Sequence, residues 1–403
     1  MIFSVEQKIL FWIEKHLYLI FFFAVTLISL AIRFLLRDAD SGDLNAFLLP
    51  WFDYIKENGG LGSLDVQVGD YNIPYQTVIA LLTYLPLEPA YLYKLFSCIF
   101  DYFLAVLAGC FVYSGSRDKR ELKAILAYSC VLLSPLVFLN SSYWAQCDSV
   151  FTSFSVLSLL FFSREKYGLT FIAFGLALSF KLQAIFLLPL YLFLYVYKKR
   201  FSFLYFFLIP MTMIFMATAG LVKGRGIKDV FFIYANQTTT YTSLYINYPS
   251  FWGLFLSDTP AQLSLALKPL AIVFTIAVLA LLLFWLYRQQ TVLTPVTLVY
   301  MAFLVIFTCV LFLPNMHERY GFQYEILSIL LAFFLPKTTW LSLGLHILSF
   351  RTYSIYLFDF TRERFYQLSI INVMIYVIYL YLFYRYVQDK ELHQCDSPHS
   401  ANL

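Results

Sequence analysis

HLYLIFFFAVTLISLAIRFLLRDADSGDLNAFLLPWFDY, residues 16–54, joins the two features from which the fold reading follows. Residues 16–36 form one continuous apolar run, long enough for a helix across a bilayer, which takes about 20 residues. Residues 37–54 follow directly and carry Asp38, Asp40, Asp43 and Asp53. Such a group of carboxylates is ordinary on a soluble surface, but this chain is 61% hydrophobic and only 13% charged. The loop after the first apolar helix is therefore the place to look for acid–base chemistry at a membrane surface.

Working outward, the chain has 403 residues, 20% of them aromatic, and a mean hydropathy of +0.73. Average soluble domains are about a quarter charged. Apolar runs recur from end to end, continuous rather than alternating. Lipid leaves only helices or closed barrels, so the pattern predicts an all-α polytopic membrane protein. One integrated bundle is expected over residues 1–388, with a polar cytoplasmic tail at 389–403. The net charge of +4 carries little information, because the placement of Lys and Arg is what orients such a chain. No basic stripe points to nucleic acid. The six cysteines show neither CxxC nor metal-ligand spacing, so no zinc site and no disulfide framework is expected. The first apolar segment lacks a small-residue cleavage site and is too long for a signal core, so it stays as a helix.

Residues 1–15 read as an amphipathic lead-in on the cytoplasmic side. After the acidic loop, the apolar stretch 71–87 is bounded by Pro74 and Pro86 and is too short to span, so it reads as a half-helix in the outer leaflet. Were it to cross, the basic loop 114–123 would fall outside, against the positive-inside tendency. The remaining helices fall near 89–113, 121–140, 148–163, 167–180, 182–197, 201–222, 265–287, 292–313, 321–335, 338–358 and 366–388. About 12 membrane helices result, within a range of 10–13, with both termini cytoplasmic. The outer segments are then 37–88, 140–149, the turn at 181–183, the long loop 223–264, and 313–322 and 351–364. Lys181, Lys223, Arg225, Lys228, Arg319, Arg351, Arg362 and Arg364 lie outside in this scheme, against the usual bias. A bound anion accounts for some of them, since arginine pairs well with phosphate oxygens.

Four clusters carry candidate chemistry. Asp40 and Asp43 either cap a helix starting near Ser41–Gly42, where its dipole favours a carboxylate, or act on a hydroxyl as general base. In SYWAQCDSVF (142–151), Tyr143 and Trp144 suit an interfacial belt. Gln146 and Asp148 do not, and Asp148 is either an N-cap or a ligand contact. Lys181 and Gln183 sit between two apolar runs, and either face a cavity or, for Lys181, snorkel to the interface. His317, Glu318, Arg319 and Tyr320 suit a phosphate or sugar hydroxyl, with Glu318 holding Arg319. Asp101, inside a membrane helix, is a functional candidate by default or a protonated carboxyl bonded between helices, and its partner cannot be named from sequence. The outer stretch 234–253 is rich in Tyr, Thr and Asn, which suits sugar hydroxyls or an ordinary interfacial loop. No Walker A, GxGxxG, HExxH or GxSxG pattern stands in a fitting context, which argues against an ATP-driven pump.

Taken in order, SGDLNAFLLPW (41–51), GDYNIPY (69–75), YWAQCDSVFTSFSVLSLLF (143–161), FGLALSFKLQAIFLLPL (174–190) and MHERYGF (316–322) resemble the bacterial integral-membrane glycosyltransferases of the GT-C fold. Within them the likeness is to the mannosyltransferase-like group related to the GPI-anchor second-mannose enzymes. It implies a multi-pass cell-membrane enzyme with its active site on the non-cytoplasmic side. Such an enzyme takes sugar from a polyprenyl-phosphate donor, inverts the anomeric centre and passes the sugar to a cell-envelope glycan or glycolipid. The catalytic Asp of the first outer loop maps to Asp43, with Asp40 as competitor. Donor phosphate binding falls to Arg319, His317 and Lys181, and substrate contacts to Gln146, Asp148, Gln183, Glu318, Tyr320, Tyr71 and Asn72. No metal constellation is legible, which leaves a divalent Mg or Mn ion open. Two other classes compete: a transporter or flippase of lipid-linked sugars, motivated by Asp101 and the aromatic loop, and a polysaccharide polymerase using a lipid-pyrophosphate donor. A transporter should carry internal repeats, and none is found.

Overall fold

A helix that is apolar on every face is either enclosed by other helices or set in lipid, and this chain contains both kinds. In the computed structural model, which describes residues 2–240, 243–255, 261–358 and 365–395, every regular element is helical. In chain order the α-helices are α1 (Ile2–Lys15), α2 (Leu17–Leu35), α3 (Leu49–Glu57), α4 (Ile73–Leu82), α5 (Pro89–Gly115), α6 (Arg120–Leu132), α7 (Pro135–Phe138), α8 (Asp148–Ser163) and α9 (Tyr167–Phe180). They continue as α10 (Leu188–Lys198), α11 (Leu208–Met216), α12 (Thr218–Val222), α13 (Ile227–Thr240), α14 (Ala261–Gln289), α15 (Pro295–Phe312), α16 (Phe322–Phe334), α17 (Thr339–Leu357) and α18 (Phe365–Cys395).

α15 is the enclosed kind. Pro295 opens it, and the Thr294 hydroxyl accepts from the Thr297 N–H at 3.2 Å, a capping arrangement that satisfies one orphan donor. From Thr297 to Phe312 every residue is buried, against α16, α14 and α10 among others. α2 and α14 are the opposite case: Leu27, Leu35, Val273 and Leu281 are exposed, as lipid contact requires.

Among the described residues five helices are long and apolar enough to cross a membrane: Leu17–Leu35, Pro89–Gly115, Gln262–Gln289, Pro295–Phe312 and Phe365–Asp389. A sixth span is reached if Arg120–Leu132 and Pro135–Tyr143, bent by 44°, form one crossing. The expected count of 12 crossings exceeds this. Helices stand at all the expected positions, but those at 148–163, 167–180 and 322–334 are each shorter than 18 residues. Two others are interrupted: 182–198 starts as a 3-10 turn, and 203–222 breaks into three short pieces.

α4 is shorter than the expected half-helix over 71–87. It covers only Ile73–Leu82, about 15 Å of length, and it packs into protein. Ile73, Tyr75, Gln76, Ile79 and Ala80 are buried against α3, α9, α12 and the 3-10 turn Gly60–Asp65. The long loop 223–264 contains a helix of its own, α13, and the tail stays helical as far as Cys395. Arg362, Arg364, parts of the 223–264 loop and residues 396–403 lie outside the described residues.

The two segments that carry the acidic clusters both contain π-helical turns, Leu44–Leu48 and Leu139–Tyr143. Such turns insert one extra residue into a helix and often adjoin functional sites. Here one follows Asp43 and the other precedes Trp144.

Candidate active site

A cavity of about 770 Å³ opens between the 43–51 and 70–71 stretches, the 140–148 segment, the turn after α9, and the 313–320 loop. That size is typical of small-molecule sites. One wall is apolar, with Phe47, Phe180, Ile185, Phe186 and Ile272. The polar end holds Asp43, Tyr71, Gln146, Lys181, Gln183, His317, Arg319 and Tyr320.

Asp43 is the hub of that polar end. Its Oδ2 accepts from Trp144 Nε1 at 2.9 Å, Gln146 Nε2 at 3.0 Å and, at 3.5 Å, Arg319 Nη1. Its Oδ1 accepts from the Tyr356 hydroxyl at 2.6 Å. Each charge-assisted bond of this kind contributes about 1.5–3 kcal/mol, so the carboxylate is fixed in direction. A carboxylate has about four lone-pair sites. Oδ2 takes three donors and is crowded, whereas Oδ1 takes one, from Tyr356.

The segment that supplies two of these donors is under strain. Ala145 lies between Trp144 and Gln146 with φ +60°, a left-handed conformation that costs a residue with a Cβ of order 1 kcal/mol. The turn sends both flanking side chains to Asp43. The Trp144 ring stacks on Tyr356 at 5.0 Å and lies under the Arg319 guanidinium at 5.2 Å. Tyr71 extends the chain of bonds, donating its hydroxyl to Gln146 Oε1 at 3.0 Å. Burial pushes the Tyr71 phenol well above its ordinary value, so it stays a donor.

Two cations and two further acids surround this hub. Lys181 leaves the end of α9 on extended backbone and binds Asp148 Oδ1. Asp148 also accepts from Asn140 Nδ2 at 2.7 Å. Arg319 Nη1 meets Glu318 Oε1 at 3.2 Å, and its Nε stands 3.8 Å from Asp148 Oδ2. No protein group among the described residues bonds its Nη2. Burial raises the Glu318 carboxyl above its usual range, against the pull of Arg319. Burial and the nearby Arg319 push the His317 imidazole down to about 3. His317 is therefore neutral at physiological pH, and brings a hydrogen-bonding ring rather than a charge.

Most of the residues singled out in the sequence thus meet at one place. Asp43, Tyr71, Gln146, Lys181, Gln183, His317, Arg319 and Tyr320 line the cavity. Asp148 and Glu318 stand behind the two cations, each 1% exposed. Asp40 does not join them. It is exposed and accepts from Asn45 Nδ2 and the Ser41 N–H, which makes it a local cap for the turn before α3. Asn72 is also set apart: its Oδ1 accepts from the Ile73 N–H at 2.8 Å and its Nδ2 donates to the Val230 carbonyl at 3.1 Å. It caps α4 and ties it to α13.

Sequence reasoning missed Tyr356, Trp51, Asp70, Asn247 and Lys268, which also line the cavity, and treated Trp144 as a belt residue. Trp144 was discoverable, since it stands two residues from Gln146 in the same turn. Tyr356 falls in the 351–364 stretch read as an outer segment, but nothing local in RTYSIY (351–356) sets it apart as a partner of Asp43.

Among the described residues no three His, Cys, Asp or Glu side chains are grouped to hold a metal ion. No protein-family model and no curated protein matches this chain.

Proposed function

We propose that the protein is an inverting membrane glycosyltransferase of the GT-C type. It moves a sugar from a polyprenyl-phosphate donor to a hydroxyl of a cell-envelope glycan or glycolipid, on the non-cytoplasmic face of the membrane. The observation that carries this reading is the convergence of Asp43, Lys181 and Arg319, from three distant parts of the chain, on one cavity with an apolar wall.

In this reading the acceptor hydroxyl approaches Asp43 Oδ1 and gives up its proton there. Its oxygen forms the new bond to the anomeric carbon, and the bond from that carbon to the phosphate oxygen breaks. The electron pair leaves with the lipid phosphate, which is a good leaving group without protonation. Arg319, through Nη2, and Lys181 stabilise the charge that develops on it. Trp144, Gln146 and Tyr356 hold the carboxylate in one orientation, which lowers the entropy cost of reaching the reactive geometry. The apolar wall takes the first isoprene units, and neutral His317 and Gln183 offer polar contacts to the sugar. The twelve-helix arrangement and outward-facing site belong to this reading.

The test is direct. Protein in proteoliposomes is given radiolabelled polyprenyl-phosphate mannose, glucose or galactose together with a cell-envelope glycolipid extract. The expected result is labelled glycolipid and free polyprenyl phosphate in equal amounts. If label crosses the vesicle membrane with no new glycosidic bond, the transporter reading replaces this one. Activity only with a lipid-pyrophosphate donor replaces it by the polymerase reading.

A further inference from the structure

Asp101, in the middle of α5, is fully buried and far too costly in an apolar bundle to stand there without a partner. The structure supplies four bonds to it. Arg33 of α2 donates through Nε at 3.2 Å and Nη2 at 2.7 Å. Ser141 donates at 2.6 Å, and Ser149 donates to the other oxygen. Arg33 in turn reaches the Ser29 hydroxyl and the Leu132 carbonyl at the end of α6.

The two serines are informative. Ser141 precedes and Ser149 follows the stretch that carries Trp144, Gln146 and Asp148. One carboxylate therefore fastens both ends of the segment that grips Asp43 and Lys181. Two more residues of α5, Cys98 and Lys94, lie on the same face, three and seven residues before Asp101. Cys98 touches the Ser142 hydroxyl at 3.2 Å. Lys94, 4% exposed, donates to the carbonyls of Leu36, Arg37 and Ala39 at 3.3, 2.8 and 2.5 Å, and so holds the backbone that leads into Asp43.

We infer that the Lys94–Cys98–Asp101 face of α5 is a positioning device: Lys94 sets the loop that bears Asp43, and Asp101, neutralised by Arg33, sets the 141–149 segment that bears its hydrogen-bond donors. Asp101 does not face the cavity and is a positioning residue, not a catalytic one. The inference rests on the glycosyltransferase reading for its kinetic consequence, though not for its structural one.

The variant Ser141→Ala/Ser149→Ala detaches the segment from Asp101 while leaving the Arg33–Asp101 pair intact, so no unpaired buried charge is created. Displacing reacting groups by about 1 Å costs on the order of 100-fold in rate. The expected result is a fall in kcat of about 10- to 100-fold with KM for the lipid donor within about threefold. Ser155→Ala, whose hydroxyl bonds only its own helix at Phe151, should leave both constants unchanged. Combination with Gln146→Leu should be strongly non-additive, since both changes disturb the same contact to Asp43, and a purely structural role would give additive losses.

Hydrogen exchange supplies a readout that does not depend on the reaction. The double serine variant should exchange faster at 139–149 while α15 stays protected. Unchanged exchange there, or a kcat within twofold of the parent, overturns the inference. Faster exchange at 139–149 in a protein that transfers no sugar from any donor would retain the positioning device and reject the glycosyltransferase reading.

Discussion

Asp43 and Asp40 are three residues apart in sequence, and burial separates them. Asp43 is 7% exposed and receives donors from four side chains, whereas Asp40 is exposed and bonds its own turn. Asp40→Asn should therefore leave transfer within about twofold of the parent, because the amide still accepts a bond from the turn and surface changes rarely exceed 0.5 kcal/mol. His317 gives a second residue-scale expectation. Its pKa is about 3 in the folded state against a usual 6.5, so below 6.5 the unfolded chain binds a proton that the folded chain does not. Stability is full above about pH 6.5 and declines as pH falls toward 3. His317→Gln should flatten the slope of thermal stability between pH 6 and pH 4, measured by unfolding in detergent. An unchanged slope would show that His317 takes up its proton normally in the folded protein.

At the scale of elements, the sequence placed helices well and their interruptions less well. The apolar runs at 16–36, 89–113 and 292–313 are long and uninterrupted, so their helices could be read directly. The π-helical turns at Leu44–Leu48 and Leu139–Tyr143 could not, because their extra residue is set by packing rather than by a local signal. The burial of α4 was illegible for a related reason: an apolar decapeptide reads alike whether it meets lipid or protein. Gly69 is a place where an element depends on one residue. It has φ +72°, and a Cβ there would stand 2.5 Å from the Trp51 ring that lines the cavity. Gly69→Ala should destabilise the protein by about 1–3 kcal/mol and raise KM by displacing Trp51. Parent-like melting and kinetics would mean that the loop relaxes around the change.

For the whole molecule, the gathering of residues 43, 71, 146, 181 and 319 around one cavity is the outcome that sequence reasoning reached only in outline. Each cluster stood out because a polar group in a chain this apolar needs a reason. Their mutual distances, and the third anchor at Tyr356, depend on how α15 to α17 pack, which no local pattern encodes. Sidedness is also a whole-molecule property. Asn58 and Arg117 are both exposed and fall on opposite faces in the proposed topology. In right-side-out vesicles a membrane-impermeant thiol reagent should label Asn58→Cys and spare Arg117→Cys, in a background freed of native cysteines. Labelling of both, or the reverse pattern, would discard the outward-facing site.

The central claim is that Asp43 takes the proton from the acceptor hydroxyl, and the initial rate of sugar transfer from a polyprenyl-phosphate donor tests it most directly. Asp43→Asn keeps the shape of the side chain and removes its basicity. The account predicts a rate lower by about 100- to 10,000-fold at parent-like expression and melting temperature. A rate within twofold of the parent would contradict it.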